Sequence, residues 1–329
     1  MANTIKFLED GSMVVADKVI SLVNIALHTD GLLKNTNGDL ILDLNNIGVS
    51  TPVVKNGLYY GGTDGVYYNK ATLLSPTATL VQAESSVGTA RRSLAAGSVG
   101  TNALYYGGYT TTYLNTTTLL SPTATLVQAE GNVGTGRDSL AGASVGANAL
   151  FYGGVASSFT NKTTLLSPTA TLAQAESNVG TSRSNLEGAN VGTNALYYGG
   201  YTYTNTATLL STTATLVQTE SNVGTSRQGL SGAHTENNAL FYCGIHSNGT
   251  YLNTTTLLSP TATLVQAEST VGTGLQFHTG ANVGTNVLYH SGYTGAVYNV
   301  ATLLSPTAVL IQAEVNVGTA RYGTAGVSV

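Results

Sequence analysis

The sequence predicts an all-β fold, a six-bladed β-propeller of four-stranded blades preceded by a small N-terminal module. Three observations predict it. A motif close to TLLSPTATLVQAE occurs six times, beginning at Thr72, Thr118, Thr164, Thr208, Thr256 and Thr302. Turn residues divide each repeat into four β-rich runs that lack helical periodicity. The two ends of the repeated region carry complementary parts of one repeat, so the chain can close into a ring.

Each repeat combines a constant frame with one variable loop. A Gly-Gly pair or its equivalent ends at positions 62, 108, 154, 200, 244 and 292, and each motif threonine except the last precedes the next such position by 36 residues. From that position to the following threonine the distance is 10, 10, 10, 8, 12 and 10 residues. All length variation is therefore confined to one loop per repeat, as expected of a repeat architecture.

Four runs of each repeat are predicted to be strands. NALYYGG is a short strand ending at a glycine pair, ATLLS and TLVQAE flank a Ser-Pro-Thr-Ala turn, and SLAGASVG is rich in small residues. Because blades crowd at the axis of a propeller, we expect the small-residue run to be the innermost strand. A solenoid is also periodic, but its rungs are usually shorter.

The ends of the repeated region favour ring closure. GLYYGG at 57–62 lacks an inner strand, whereas RYGTAGVSV at 321–329 is an inner strand that lacks a blade. Pairing these two segments completes the sixth blade and removes an exposed sheet edge. We therefore expect the C-terminal strand to close the ring.

The repeat also resembles a known family. An aliphatic-aromatic strand ending in Gly-Gly, a variable loop, a strand-turn-strand unit and an arginine before the next inner strand resemble the kelch repeat over residues 51–329. The resemblance implies propeller architecture. It departs from the family at the aromatic signature, because Leu74 and Leu80 and their counterparts stand where kelch repeats usually carry Tyr and Trp.

Residues 1–50 do not follow the repeat and are predicted to form a separate attachment module. They carry six acidic and three basic residues, while the rest of the chain is almost neutral. Asp10-Gly11, Asp30-Gly31 and Asn37-Gly38 indicate hairpin turns, whereas MVVADKVISLVNIALH fits a helix or two strands. This layout is similar to that of bacteriophage tail-fibre and spike subunits, which implies docking on virion proteins through residues 1–50.

Composition excludes several classes of partner. Only 9% of residues are charged, against roughly 25% in ordinary globular domains, and no basic cluster could neutralise nucleic-acid phosphates. No apolar run is long enough for membrane insertion, and we expect no standard signal peptide. A single cysteine excludes an intrachain disulfide. We expect a polar protein of a virion or the extracellular space, with homo-oligomerisation left open.

The recurring charges are predicted to be structural. A glutamate recurs in all six repeats, and an arginine follows it after seven residues in five of them, the exception being Leu275 after Glu268. An ion- or ligand-binding ring is the functional alternative. Because the pairs recur with the scaffold, we expect them to bridge strands within or between blades: Glu84 and Arg91, Glu130 and Arg137, Glu176 and Arg183, Glu220 and Arg227, Glu314 and Arg321.

The histidines and the cysteine raise the possibility of a zinc site, since imidazole and thiolate are zinc ligands. His234, His246, His278 and His290 occur with Cys243 in the last third of the chain. Aligned to the repeats, however, they fall on different strands and loops. We therefore expect unrelated substitutions, with no metal, no other cofactor and no catalytic residue, and predict that the protein is not an enzyme.

The variable loops are the best candidate for binding. They follow the Gly-Gly pairs, and in a propeller this connection shares a face with the links between blades. Exposed aromatics among Asn, Ser and Thr are typical of adaptable recognition surfaces; the alternative is that each aromatic anchors its own loop. The candidate residues are Tyr67, Tyr113, Phe159, Tyr203, Tyr251 and Tyr298, with His246 in the longest loop.

These observations together predict a structural or adhesive binding protein. The expectation is a phage virion subunit, a tail fibre or head decoration, whose propeller loops contact host-surface glycan or protein. The alternative is a lectin or protein-interaction scaffold outside a virion.

Overall fold

The computed structural model describes residues 55–329 except Glu236 and, before them, only six short strands. These form two three-stranded antiparallel sheets within the unit Met1–Val53: β1 (Ile5–Phe7), β2 (Ser12–Val15), β3 (Lys18–Ser21), β4 (Ile25–Leu27), β5 (Leu32–Asn35) and β6 (Leu40–Asp43). The segment that fits a helix or two strands in the sequence contains strands where it is described. The predicted attachment role of residues 1–50 otherwise lies outside the described residues.

The second unit, Val54–Val329, contains six four-stranded antiparallel blades. Blade 1 comprises β7 (Gly57–Thr63), β8 (Lys70–Leu74), β9 (Ser85–Ser86) and β30 (Tyr322–Ser328) as its inner strand. Blade 2 contains β10 (Ala95–Val99), β11 (Asn102–Tyr106), β12 (Thr116–Leu120) and β13 (Gly131–Asn132). Blade 3 contains β14 (Ala141–Val145), β15 (Asn148–Tyr152), β16 (Lys162–Leu166) and β17 (Ser177–Asn178). Blade 4 contains β18 (Glu187–Val191), β19 (Asn194–Tyr198), β20 (Thr206–Leu210) and β21 (Ser221–Asn222).

Blades 5 and 6 have the same order from the inner strand outwards. Blade 5 contains β22 (Ser231–Thr235), β23 (Asn238–Tyr242), β24 (Thr254–Leu258) and β25 (Ser269–Thr270). Blade 6 contains β26 (Thr279–Val283), β27 (Asn286–His290), β28 (Val300–Leu304) and β29 (Val315–Asn316). The predicted six-bladed propeller of four-stranded blades is therefore confirmed.

The predicted ring closure is confirmed as well. Strand β30 pairs with β7 from Tyr322 opposite Thr63 to Ser328 opposite Gly57. Each inner strand packs against the inner strands of both neighbouring blades, and β30 lies between β26 and β10. The small residues predicted to be innermost allow this close approach, because a Cβ at Gly142 would lie 2.3 Å from the carbonyl oxygen of Ala96 in the neighbouring blade.

The core of the propeller lies between blades rather than within them. Buried aliphatic and aromatic side chains of two neighbouring blades share each hydrophobic cluster. One pair of aromatic rings bridges each of the six blade boundaries at centroid distances of 5.0–5.1 Å, a tilted geometry that stabilises beyond simple burial: Tyr60–Tyr105, Tyr106–Phe151, Tyr152–Tyr197, Tyr198–Phe241, Tyr242–Tyr289 and His290–Tyr59.

The outer part of each blade differs from the prediction. TLVQAE was expected to be a full strand, but in blade 2 it contributes only the isolated bridge between Leu120 and Leu126. The reason is local: the Ser121 hydroxyl lies 2.7 Å from that of Thr125, and Ala124 adopts a φ of 56°. Such side-chain bonds compete with a regular ladder. The outer strand is therefore the two residues that follow the glutamate.

Six backbone hydrogen bonds form a closed ring where the inner strands begin, and we call this the axial ring. In each bond, the N–H of one blade donates to the carbonyl of the preceding blade over 2.7–2.9 Å. All six residues have φ between 50° and 64°. Each of them donates its N–H to the preceding blade and accepts a bond at its carbonyl from the following blade. The members are Ser93, Ser139, Asn185, Gly229, Phe277 and Gly323.

The described part of the chain has no helix long and apolar enough to cross a bilayer.

Candidate functional site

The variable loops share one face with the links between blades. Bridges join a residue just before an inner strand to the start of a neighbouring loop, as for Arg92 with Tyr109 and Asp138 with Val155. We call this side the loop face; its loops are 64–69, 107–115, 153–161, 199–205, 243–253 and 291–299.

The loop aromatics predicted from sequence differ in exposure. Tyr113 and Phe159 are 42% and 45% exposed, whereas the others, with His246, are partly buried: Tyr67, Tyr203, Tyr251 and Tyr298. Tyr67, Tyr113, Phe159 and Tyr251 occupy equivalent positions, because each forms the bridge that closes its loop.

Tyr298 does not occupy the same position. In blade 6 the loop-closing bridge belongs to Val297 with Tyr293, and Tyr298 stands one residue later, where its N–H donates to Gly292. Its side chain packs against the buried cluster that includes Val287 and Leu304. At this position the aromatic ring anchors the loop to the blade.

Two further tyrosines contribute to the exposed aromatic surface. Tyr201 is 42% exposed, and its ring centroid lies 5.1 Å from that of Phe159 across the boundary of blades 3 and 4. The ring centroids of Tyr109 and Tyr113 are 5.6 Å apart within blade 2. The guanidinium of Arg92 sits 5.6 Å from the Tyr109 ring. Sequence reasoning missed Tyr109 and Tyr201, although both directly follow a Gly-Gly pair.

The recurring glutamates and arginines meet between repeats rather than seven residues apart. Each arginine enters the blade whose inner strand it precedes, and three of the five lie within ion-pair distance of the glutamate of that blade. The N–O distances are 3.5 Å for Arg91–Glu130, 3.7 Å for Arg183–Glu220 and, through ring closure, 3.9 Å for Arg321–Glu84.

A threonine mediates each of these contacts. Arg91 donates to the hydroxyl of Thr118 over 2.7 Å, and Thr118 donates to Glu130. The same arrangement links Arg137 through Thr164 to Glu176 and Arg227 through Thr256 to Glu268. Because the arginine is fully buried, these partners offset its desolvation.

The link between blades is fastened to the same carboxylate. The Thr89 hydroxyl donates to Glu130 over 2.6 Å, and the Tyr60 hydroxyl donates to the Thr89 carbonyl over 2.8 Å. Burial alone raises the pKa of Glu130, but bonds from Thr118 and Thr89 and the charge of Arg91 outweigh it and lower that pKa below its ordinary value. The carboxylate is thus used to hold blade and link together.

Blade 6 departs from this network at the position that packs against Cys243 of blade 5. Leu275 takes the arginine position, and among the described residues Glu314 accepts bonds from Thr273 and Thr302. Cys243 occupies a first-glycine position at φ 60° and shares a buried cluster with Leu275. Burial raises the pKa of its thiol to about 12, so it is an unreactive, packed side chain at neutral pH.

The histidines have separate environments. His290 replaces a repeat tyrosine, and its Nε2 donates to the Val317 carbonyl over 2.8 Å. The hydroxyls of Tyr60 and Tyr242 make the equivalent bond to a valine carbonyl in their own blades. Burial lowers the pKa of His290 to about 4. His246 forms the turn of the longest loop. Within the described residues, no three His, Cys, Asp or Glu side chains are grouped to hold a metal.

His234 and His278 lie at opposite ends of the propeller axis. His234 belongs to a ring of small polar inner-strand residues around a cavity of about 40 Å³. His278 lines a second cavity of about 50 Å³ on the loop face, which we call the axial cavity. Burial, reinforced by the charge of Arg227, lowers the pKa of His278 to about 3.

The axial cavity combines apolar repeat residues with polar exceptions. Leu94, Leu140, Leu186 and Leu230 face it from four blades, and the two remaining blades present His278 and Thr324 at the equivalent positions. Glu187, where most blades carry a smaller residue, also lines it; burial raises the pKa of its carboxyl to about 8. Sequence reasoning noted His278 but not its neighbours, which only ring closure brings together.

A scan of the chain against protein-family models gave no match, and a search of curated proteins gave none either.

Proposed function

We propose that this chain is a non-enzymatic binding protein, a tail-fibre or head-decoration subunit of a bacteriophage virion. It attaches through residues 1–50 and contacts host-surface glycan or protein through the loop face. The observation that carries this proposal is the exposed aromatic set on loops that vary while the scaffold repeats. Tyr113, Phe159 and Tyr201 form its most exposed part.

The loops suit recognition because their backbones are held in place. In blade 2, Leu114 donates to Gly108 over 2.9 Å, and a bridge joins Tyr109 to Tyr113. A rigid loop loses little conformational entropy on binding. Tyrosine adds a large apolar area with few rotatable bonds and a polar end. The loop face is therefore suited to contact a polar surface such as a glycan.

Binding is favoured over catalysis by the use of the recurring charges. Glu84, Glu130, Glu176 and Glu220 accept threonine hydroxyls and lie beside buried arginines. Their lowered pKa values keep them ionised at neutral pH, which suits structural ion pairs rather than proton transfer.

We also propose that the blades are of the kelch type. Support comes from the Gly-Gly strand exit and from the buried arginine before each of five inner strands. Leu74 and Leu80, which form a bridge with each other, replace the aromatic signature, so the kinship concerns blade construction rather than a shared ligand.

A binding assay with the full chain tests the proposal. We expect binding to a glycan array or to host cells, with at least a ten-fold loss after combined Tyr113→Ala, Phe159→Ala and Tyr201→Ala changes. The matched control is Val127→Thr with Val217→Thr, which alters equally exposed apolar residues in the connection between third and fourth strands.

Two results would overturn it. Unchanged binding by the triple variant would remove the loop face from recognition. Absence of the protein from purified particles would reject the virion role and favour a lectin or interaction scaffold instead.

A further inference from the structure

The axial cavity contains buried polar atoms that the protein leaves unbonded. Both ring nitrogens of His278 and the Oγ1 of Thr324 have no hydrogen-bond partner among the described residues. The two side chains are only 3% and 6% exposed, and both line the cavity. Because buried polar groups are normally satisfied, these atoms indicate an occupant that donates and accepts hydrogen bonds.

Three of the six blades replace an apolar or small repeat residue of the cavity with a polar one. Four blades present leucine at the level of His278 and Thr324, and an all-leucine cavity of this kind would be dry. Glu187 adds a half-buried carboxyl whose Oε2 accepts from the Gly188 N–H over 3.0 Å. The polar groups come from blades 4, 6 and 1, so the occupant is held asymmetrically.

An aromatic group borders the same cavity. Phe277 lines the cavity and lies 6.2 Å from the Tyr322 ring, which in turn lies 5.1 Å from Tyr293. All three rings are partly exposed on the loop face. The electron-rich faces of such rings attract the C–H groups of a sugar ring.

The size of the cavity restricts what can enter. About 50 Å³ is room for a few water molecules and hence for a hydroxymethyl group, but not for a whole sugar ring. The positive charge of the buried Arg227 lowers the pKa of His278, so a cation beside this ring is disfavoured. A neutral hydroxyl group fits both restrictions.

We propose that the axial cavity binds the exocyclic hydroxymethyl group of a neutral sugar, whose ring packs on Phe277 and Tyr322. The hydroxyl bonds to His278 and Thr324, and Glu187 bonds a further hydroxyl of the same residue. The proposal rests on the proposed function and specifies it: the host ligand is a glycan, and its terminal sugar is recognised at the propeller axis.

The test titrates the full chain with glucose and galactose, and with their 6-deoxy analogues, by ligand-observed NMR and calorimetry. We expect at least ten-fold weaker binding of the deoxy sugars. His278→Leu and Thr324→Leu, which introduce the leucine that four blades already carry, should weaken binding of the parent sugars ten-fold and abolish the preference. The control His290→Tyr likewise introduces a repeat residue, outside the cavity, and should bind normally.

Equal affinity of wild type and His278→Leu, or a sugar-soaked crystal whose cavity holds water only, would overturn the axial site. If glycan-array binding then persists and depends on Tyr113 and Phe159, the proposed function stands without this site. Loss of sugar binding in His278→Leu without any binding to host cells would uphold the axial site and reject the adhesive role. Cell binding through protein receptors alone would reject the sugar.

Discussion

At the scale of single residues, the buried arginines show how a chain with few charges uses them. Arg91 is fully enclosed and contacts Thr118 and Glu130. Removing one partner of a buried ion pair leaves the other without compensation. We expect Arg91→Leu to lower the free energy of unfolding by about 3 kcal/mol, measured by chemical denaturation.

The neighbouring Arg92 is the control for that change. It is partly buried and lies over the Tyr109 ring, an interaction worth about 0.5–1 kcal/mol. Arg92→Leu should therefore cost about 1 kcal/mol or less. Equal losses for the two variants would show that the network around Glu130 contributes nothing specific.

Glu187 should make stability depend on pH. Burial raises the pKa of its carboxyl from 4.5 to about 8, so the folded state keeps a proton that the unfolded chain loses. The stability contribution of this group is complete below the unfolded pKa and declines as pH rises towards 8. Glu187→Gln should thus be more stable than wild type by up to about 5 kcal/mol near pH 9, and equal to it below about pH 4. Thermal unfolding across this range measures it; a pH-independent difference would contradict the assignment.

At the scale of elements, the longest loop should tolerate shortening. Deleting Asn248 and Gly249 gives blade 5 the loop length of blade 2 and leaves the Leu252 to Gly244 hydrogen bond in place. Because loop length has a small entropic effect, we expect unfolding free energy to change by less than about 0.5 kcal/mol.

A deletion of the same size in the constant frame is the control. Thr261 and Ala262 belong to the turn closed by Ser259 and Thr263, and Ala262 is buried at φ 56°. Removing them should cost more than about 2 kcal/mol. If both deletions lower the free energy of unfolding equally, the variable loops do not tolerate changes in length better than the constant frame does.

Among the elements, the repeat pattern predicted the strand order and the inner strand, but not the structure of the outer segment or the partner of Arg91. Strand order and the inner strand followed from small residues and spacing, because both report directly on blade crowding. TLVQAE has a strand-like pattern, yet after the turn in which Ser121 bonds Thr125 it contributes only one isolated bridge. The partner of Arg91 was also beyond local sequence, since Glu130 lies a full repeat away.

At the scale of the whole molecule, ring closure should decide cooperativity. Removing residues 321–329 takes away β30, the contact of Arg321 with Glu84 and the Gly323 member of the axial ring. We expect a broad, early thermal transition and association of the exposed β7 edge, measured by calorimetry and light scattering.

Supplying the segment as a separate peptide should restore the sharp transition, because an added strand can complete an open sheet. Deleting Val329 alone, which removes its bonds with Asn56 and its packing against the neighbouring hydrophobic cluster but keeps β30, is the control and should cost about 1–2 kcal/mol. A truncated chain that melts like wild type would show that five complete blades suffice.

The whole-molecule fold could be predicted because six copies repeat one frame. The axial cavity could not, because Glu187, His278 and Thr324 lie on three blades and become neighbours only when the ring closes. The aromatic group of Phe277, Tyr293 and Tyr322 was missed for the same reason.

The paired bonds between Asn56 and Val329, 3.1 and 3.0 Å long, have a consequence for chain topology. Blade 2 joins the equivalent residues, Val99 and Asn102, by Gly100 and Thr101. A Gly-Thr linker that joins Val329 to Asn56 would therefore reproduce the turn found in the other blades. Circular permutants could then begin and end at the equivalent turn of any blade. The choice of turn would determine which blade is assembled from the two ends of the chain.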